Sequence, residues 1–444
     1  MVTLGNSVRP LSGQQPPDAP FEFPNMLRIQ QQFEAIRVLH PEAAVLEQLE
    51  KRQLGLRVQP GQSVAVTVGS RGITNIAPII RAIVGYLRHL EARPFLVPAM
   101  GSHGGGTAEG QQRLIESLGV TAEYVGCEIR SSMETTILGQ AQLPRRNETF
   151  PIYFDAHAAA ADHVLVVGRI KPHTDFVGDV ESGLYKMMLI GLGKRQGATL
   201  YHRAIHDFSF TEIVRAVGDV VLASGRILGG VAIVENAYDE TALIEAVHPD
   251  QFFSRERELL IKAKAWLPRL PFADVDLLII DEIGKEISGT GMDTNVVGRK
   301  YLDHQFTDRD LARCKRIFIR RLTAKTNGNG TGIGLAEFTT RHAVEQLNTE
   351  ATQINCITAG HPTAAMLPVI YDSDRAAITA ALSTIGLTPP ERARVIQIRD
   401  TLHLQEVLVS AAYQEQLRDR ADLKLRSPAT AMAFDSAGQL MDVG

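Results

Sequence analysis

The chain has 444 residues, too many for one small core, so two domains, or three, are expected. Hydrophobic residues at 44%, charged residues at 22% and a net charge of -4 are ordinary for a soluble globular protein and give no electrostatic reason to expect nucleic acid. No apolar run reaches the roughly 18 residues of a membrane span. Cys127, Cys314 and Cys356 are too scattered for a disulfide framework, an iron–sulfur cluster or an all-thiolate zinc site. Any metal would rest on histidine, or on a ligand that the chain does not encode.

The first 25 residues carry no apolar signal core or cleavage pattern and read as a flexible, proline-rich lead-in, with the cytoplasm as the expected compartment. The first strand is SVAVTVG (Ser63–Gly69), followed by an amphipathic helix over about Ala77–Leu90. Next come PFLVPA, the glycine-rich MGSHGGGT, and a helix over about Ala108–Leu118. HVLVVG (His163–Gly168) is a buried strand that runs into RIKPHTD. Helices are predicted at Phe210–Leu222 and Pro249–Trp266, with strands in ILGGVAIVEN and TALIEAV. Two prolines in LPRLPFADVD mark a boundary, and a second strand–loop set follows. VDLLIID leads to ISGTGMDTN and RIFIRRL to TNGNGTGIG, with a helix at Asp372–Leu382 and a strand in VIQIRD.

The expected class is α/β: two domains with mostly parallel open sheets and an active-site cleft between them. Residues 1–50 are a lead-in packing on the first domain, 51–270 the first domain and 271–444 the second. In such sheets ligands bind at the carboxyl ends of strands, where strand order reverses. GSRGI, MGSHGGGT, RIKPHTD and EIGKEISGTGMDTN all sit at such ends, and none is a Walker A loop or a good GxGxxG fingerprint.

The candidates there each have two readings. His103 is an acid–base group in a glycine-rich loop, or a loop histidine that supports a turn. His173 is a second such group, or a turn histidine bonded to Asp175. His202, in ATLYHRA, is an imidazole ligand or a helix-surface histidine. Lys186 precedes MMLIGLG, where a charged lysine costs several kcal/mol to bury unless it is paired, neutral or modified. A snorkelling lysine and a pyridoxal Schiff base are its other readings. Glu109, Asp175, Glu181 and Asp293 read as capping or solvated carboxylates. Arg71 and Arg299 are candidate carboxylate or phosphate forks, and for either the other reading is a surface arginine or an internal salt bridge.

Taken in order and spacing, His103 in GSH, His173 in KPH, Lys186, and His202 sixteen residues after it resemble the nickel-dependent lactate racemase family. The likeness spans roughly Leu54–Val409 and is strongest from Val64 to Ala204. It implies a nickel pincer nucleotide (pyridinium-3-thioamide-5-thiocarboxylic acid mononucleotide with Ni2+) joined to Lys186 as a thioamide. Such a lysine has no charge to bury. The cofactor would give nickel two sulfurs and a carbon, and His202 the fourth ligand. Ser70, Gly101, Thr294 and Asn295 would also bind the cofactor, and Arg71 and Arg299 the substrate. His103 and His173 would serve as opposing bases in proton-coupled hydride transfer, inverting C2 of a 2-hydroxy acid. The resemblance further implies cofactor-biosynthesis proteins as maturation partners, with no nucleic acid or membrane partner. Ser70 stands where the family carries Asp, Ile73 where it carries Arg, and Val297 where it carries a substrate-binding Lys. The expected activity is therefore a 2-hydroxy-acid racemase or epimerase whose substrate is not lactate itself. The alternative is a non-catalytic nucleotide- or metal-binding protein of the same fold.

Overall fold

The computed structural model describes residues 21–70, 72–143 and 149–443, and the chain divides into two compact units. One unit is residues 34–267; the other joins the residues up to Phe33 to those from Pro268 onward. The join at Pro268 lies inside the LPRLPFADVD stretch.

The beginning of the described chain differs from the lead-in expected. Strand β1 (Asn25–Gln31) buries Leu27 and Ile29 and belongs to the unit built mainly from the C-terminal half. Its alternating side chains give it one core-facing side, which the preceding prolines mask in the sequence.

In the unit of residues 34–267 the strands are β2 (Ser63–Val68), β3 (Arg93–Pro98), β4 (Thr135–Gln142), β5 (Thr149–Asp155), β6 (His163–Arg169), β7 (Ile227–Glu235) and β8 (Thr241–Val247). The main sheet runs β3-β2-β6-β7-β8, parallel except for β8, and β4 and β5 form a separate hairpin. Helix Ile76–His89 packs on Val64, Val66 and Val68 from one face. Helices Phe210–Ala223 and Phe252–Trp266 join Ala65, Val164 and Val166 in the core of the other. Burial on both faces explains why SVAVTV and HVLVV are continuous apolar runs rather than alternating ones. Helix Phe210–Ala223 opens with a capping box between Ser209 and Glu212.

The chain leaves β2 for β3 on one side and later returns to β6 on the other. The carboxyl ends of β2 and β6 therefore flank a topological switch point, the place where open α/β sheets bind ligands.

In the second unit the strands are β9 (Asp274–Ile283), β10 (Arg313–Leu322), β11 (Phe338–Thr340), β12 (Val369–Tyr371), β13 (Val395–Ile398), β14 (Glu406–Ser410), β15 (Leu423–Leu425) and β16 (Thr430–Ala431). The order is β12-β11-β10-β9-β13-β14-β1-β15, with β16 also on β1. It is parallel from β12 to β13 and antiparallel beyond. Its own switch point lies between β9 and β13, where the amide of Asp293 donates to Thr401 Oγ1 at 2.8 Å. Among the described residues no helix is long and apolar enough to cross a membrane.

Candidate functional site

In the unit of residues 34–267, the segment carrying Lys186 lies across the ends of β2 and β6. A Cβ at Gly168 would lie 2.8 Å from Met187 Cγ, and one at Gly69 would lie 3.4 Å from Met187 Cε. The first distance is too short for a real side chain, so glycine at 168 lets the turn seat this closely on β6, while the second is ordinary contact. Lys186 ends a short helical turn, and Met187–Gly191 continues it as a single π-helical turn, with Leu192 N donating to Met187 O at 2.9 Å. Such turns recur at functional sites. Met188, Leu189 and Ile190 are buried, but Lys186 itself is only half-buried. Its Nζ stands 5.5 Å from the Phe176 ring centroid, a cation–π contact. The burial penalty expected of Lys186 falls instead on Lys194, which is 0% exposed.

Phe176 is the hub of the site. The His173 ring stacks on it at 3.9 Å with the planes 8° apart, and the His202 ring stands at 5.6 Å. Phe210 backs it at 4.8 Å. One aromatic ring thus gathers His173, Lys186 and His202. The turn after β6 is closed by a backbone pair between Lys171 and Ser182, at 2.9 and 3.3 Å. Inside it, His173 Nδ1 accepts from the amides of Asp175 and Phe176, both at 3.0 Å. A ring nitrogen that accepts two amides carries no proton, so neutral His173 bears its hydrogen on Nε2.

His202 lies on the Lys194–Ala204 helix. Its Nδ1 is shut off from solvent and has no hydrogen-bond partner among the described residues. Burial pulls its pKa down to about 4; the Lys186 charge adds to this and Asp175 opposes it. The imidazole is therefore neutral at physiological pH, and one of its two ring nitrogens carries an unprotonated lone pair.

His103 follows β3. Its Nδ1 lies 2.5 Å from Ser70 Oγ, which joins the GSRGI loop to the GSHGGGT loop. Ser70, which the resemblance places on the cofactor, is engaged here by the catalytic candidate. Gly101, with φ +61°, lets the loop pass close to Ile190 and Ala198, and its amide donates to Gly191 O at 3.2 Å. The His103 loop thus packs on the segment that carries Lys186 and His202.

Arg71 lies outside the described residues. Arg299 takes the internal salt-bridge reading rather than the substrate-binding one. It is 2% exposed, and its guanidinium bonds Glu337 Oε1 at 3.0 Å and Cys314 O at 2.8 Å. Thr294 and Asn295 open a short helix at the second unit's switch point, where Asp293 caps it and accepts from the Asn295 side chain at 2.8 Å. Of the capping and solvated readings of Glu181, the solvated one does not hold. Glu181 is 2% exposed and takes the His173 amide at 2.8 Å and the Lys264 ammonium at 2.7 Å. Sequence reasoning missed the roles of Phe176, Lys194, Gln111 and Lys264. Of these, only Phe176 carried a local signal, an aromatic three residues after the Pro-His histidine.

Among the described residues no three His, Cys, Asp or Glu side chains converge as a metal cage. A neutral, buried imidazole nitrogen without a partner beside a half-buried lysine fits a metal-bearing cofactor tethered to that lysine.

No family model matches the sequence, and no curated protein matches it either. Several solved structures are similar to it, two of them as follows. One is the lactate racemase apoprotein from Thermoanaerobacterium thermosaccharolyticum, with 13% identity, 88% of this chain and 95% of that chain covered, and a TM-score of 0.49. The other is a protein from Thermotoga maritima, with 12% identity, 73% and 82% covered, and a TM-score of 0.48.

Proposed function

We propose that this chain is an isomerase that inverts C2 of a 2-hydroxy acid, with a nickel pincer nucleotide held by Lys186 and His202. The observation that carries the reading is the unpartnered, neutral Nδ1 of His202, set around the same phenyl ring as His173 and Lys186. The bound nucleotide would supply the acceptor for the C2 hydrogen with its electron pair, and would return both to the opposite face. The chain's own residues handle the proton. With Nδ1–H donated to Ser70 Oγ, His103 presents Nε2 as the nitrogen that takes the hydroxyl proton. His173, whose Nδ1 accepts two amides, keeps its hydrogen on Nε2 and gives it as a hydrogen bond to the oxygen on C2, holding that oxygen rather than releasing the proton. Loss of the hydroxyl proton and the C2 hydrogen leaves a planar 2-keto acid. Return of the hydrogen to the other face of C2, with the proton going back from the protonated Nε2 of His103 to the oxygen, completes the inversion. Lys186 is partly accessible at the strand ends, which suits modification by cofactor-biosynthesis proteins.

The test is the intact mass and nickel content of protein co-produced with those proteins, followed by turnover of a 2-hydroxy-acid panel. The expected result is one adduct mapped to Lys186, one nickel, and inversion of at least one acid. Fully active protein with unmodified Lys186 would overturn the reading.

A further inference from the structure

The stretch KPHTDFVGDVESGLYKMMLIGLGK ends in a lysine that the proposed reaction does not use. Lys194 is 0% exposed and its backbone is left-handed, with φ +53°. Burial pulls its ammonium below the usual lysine range, against the effect of Asp155. A left-handed non-glycine residue is unfavourable, and a buried ammonium more so unless its N–H groups are met. Here they are met. Nζ donates to Pro98 O at 2.6 Å and to Gln111 Oε1 at 3.2 Å, and Asp155 Oδ2 lies 2.9 Å away. The Asp155 contact is a close ion pair rather than an aligned hydrogen bond, while the other Asp155 oxygen accepts from Ala158 N at 2.9 Å.

Two of these three contacts lead to His103. Pro98 is the last residue of β3, immediately before the His103 loop. Gln111 is fully buried, and its Nε2 donates to Gly101 O at 2.9 Å and to His103 O at 3.3 Å. It therefore clamps the backbone on both sides of Ser102. Lys194 also opens the helix that carries His202. One ammonium thus joins the start of the His202 helix to the anchor points of the His103 loop.

We propose that Lys194 is a positioning residue, which through Gln111 and Pro98 holds the His103 loop in register with the His202 helix. The inference rests on the reading of His103 as an acid–base group, but its test does not need turnover. Side-chain 15N spectra of histidine-labelled protein report the tautomer and titration of each ring, with His103 assigned by its loss in His103→Gln. In Lys194→Met and Gln111→Met the His103 signals are expected to move toward tautomer-averaged values, while those of His173 and His202 stay. Asp155→Asn, which leaves the loop contacts in place, is expected to lower Tm and leave the His103 signals unmoved. If Lys194→Met does not fold, Gln111→Met still decides. Unchanged His103 signals in Gln111→Met, or all three histidines moving together, would overturn the inference. With loaded enzyme, the same variants are expected to lose roughly 10²-fold in kcat with KM nearly unchanged, the scale of a catalytic group displaced by about 1 Å. A wild-type protein that inverts no 2-hydroxy acid would overturn the functional reading, and the spectra would still decide the role of Lys194.

Discussion

The backbone amide of His173 donates to Glu181 Oε2 at 2.8 Å, and the other oxygen of the same carboxylate takes the Lys264 ammonium at 2.7 Å. Glu181 thus fixes the turn that aims the His173 ring at Phe176. Glu181→Ala leaves a peptide N–H without its acceptor, at an expected cost of about 1–3 kcal/mol. Glu181→Gln keeps a carbonyl oxygen for that amide and loses mainly the ion pair with the half-exposed Lys264, worth about 0.2–1 kcal/mol. Denaturant titration of both variants checks this. A Gln variant as damaged as the Ala variant would show that the ion pair, and not the amide bond, holds the turn.

The three histidines should separate by metal content. His202→Ala is expected to lose nickel, because it removes a buried ring nitrogen beside Phe176 that has no partner among the described residues. His103→Ala and His173→Ala are expected to keep nickel and to lose racemisation by roughly 10²–10⁴-fold, the scale of a positioned acid or base. Metal analysis alongside turnover decides it. Nickel retained in His202→Ala but lost from either other variant would reverse the roles.

These assignments show what the sequence makes legible. SVAVTV and HVLVVG were readable as parallel strands because burial on both faces leaves a continuous apolar run. Strand β1 was not, since NMLRIQQ is short, mixed in polarity and preceded by prolines. The hairpin of β4 and β5 was missed because TTILGQAQ is largely exposed and carries little apolar pattern. In the site, GSH and KPH are local motifs, whereas the partners that set each side chain's role lie far along the chain. Lys194 finds Gln111 83 positions away, and Arg299 finds Glu337 38 positions away. A lysine beside MMLIGLG invites a burial argument, but the helical turn leaves Lys186 half-buried and places the next lysine in the core.

Glu256 gives a pH dependence. Its side chain is buried, accepts from Tyr185 N at 3.1 Å at the start of the Lys186 turn, and leaves Oε1 unpartnered. Burial pushes its pKa up to about 8, above the ordinary 4.5. Below about pH 4.5 both folded and unfolded chains hold the proton, and stability is unaffected. Between 4.5 and 8 the folded chain holds it more tightly, so stability falls as pH rises. Glu256→Gln mimics the protonated acid. It is expected to match wild type near pH 4.5 and to gain on it progressively up to pH 8 or slightly above. Tm measured across that range tests this, and parallel curves for the two proteins would show that Glu256 does not titrate within it.

The grip on substrate is the last point, and the burial of Arg299 narrows it. Removing that guanidinium strips Glu337 and Cys314 O of their partner, so Arg299→Ala is expected to destabilise the second unit by about 3 kcal/mol. Its KM in protein that remains folded should be close to wild type. The carboxylate fork is then proposed to fall to Arg71, whose guanidinium can hold a carboxylate with two parallel hydrogen bonds. Arg71→Ala is expected to raise KM and to lower kcat/KM by about 1.5–3 kcal/mol. Ser70 engages His103, and the resemblance puts a family arginine at Ile73, so a fork at Arg71 would be expected to shift C2 of the substrate. Near-attack geometry tolerates little such error. A larger or more polar 2-hydroxy acid, such as a sugar acid or one with a second carboxylate, is therefore expected to turn over better than lactate. A substrate panel on nickel-loaded wild type, Arg71→Ala and Arg299→Ala checks all three claims. Lactate as the best substrate, with Arg71→Ala unimpaired and Arg299→Ala raised in KM, would return the grip to Arg299.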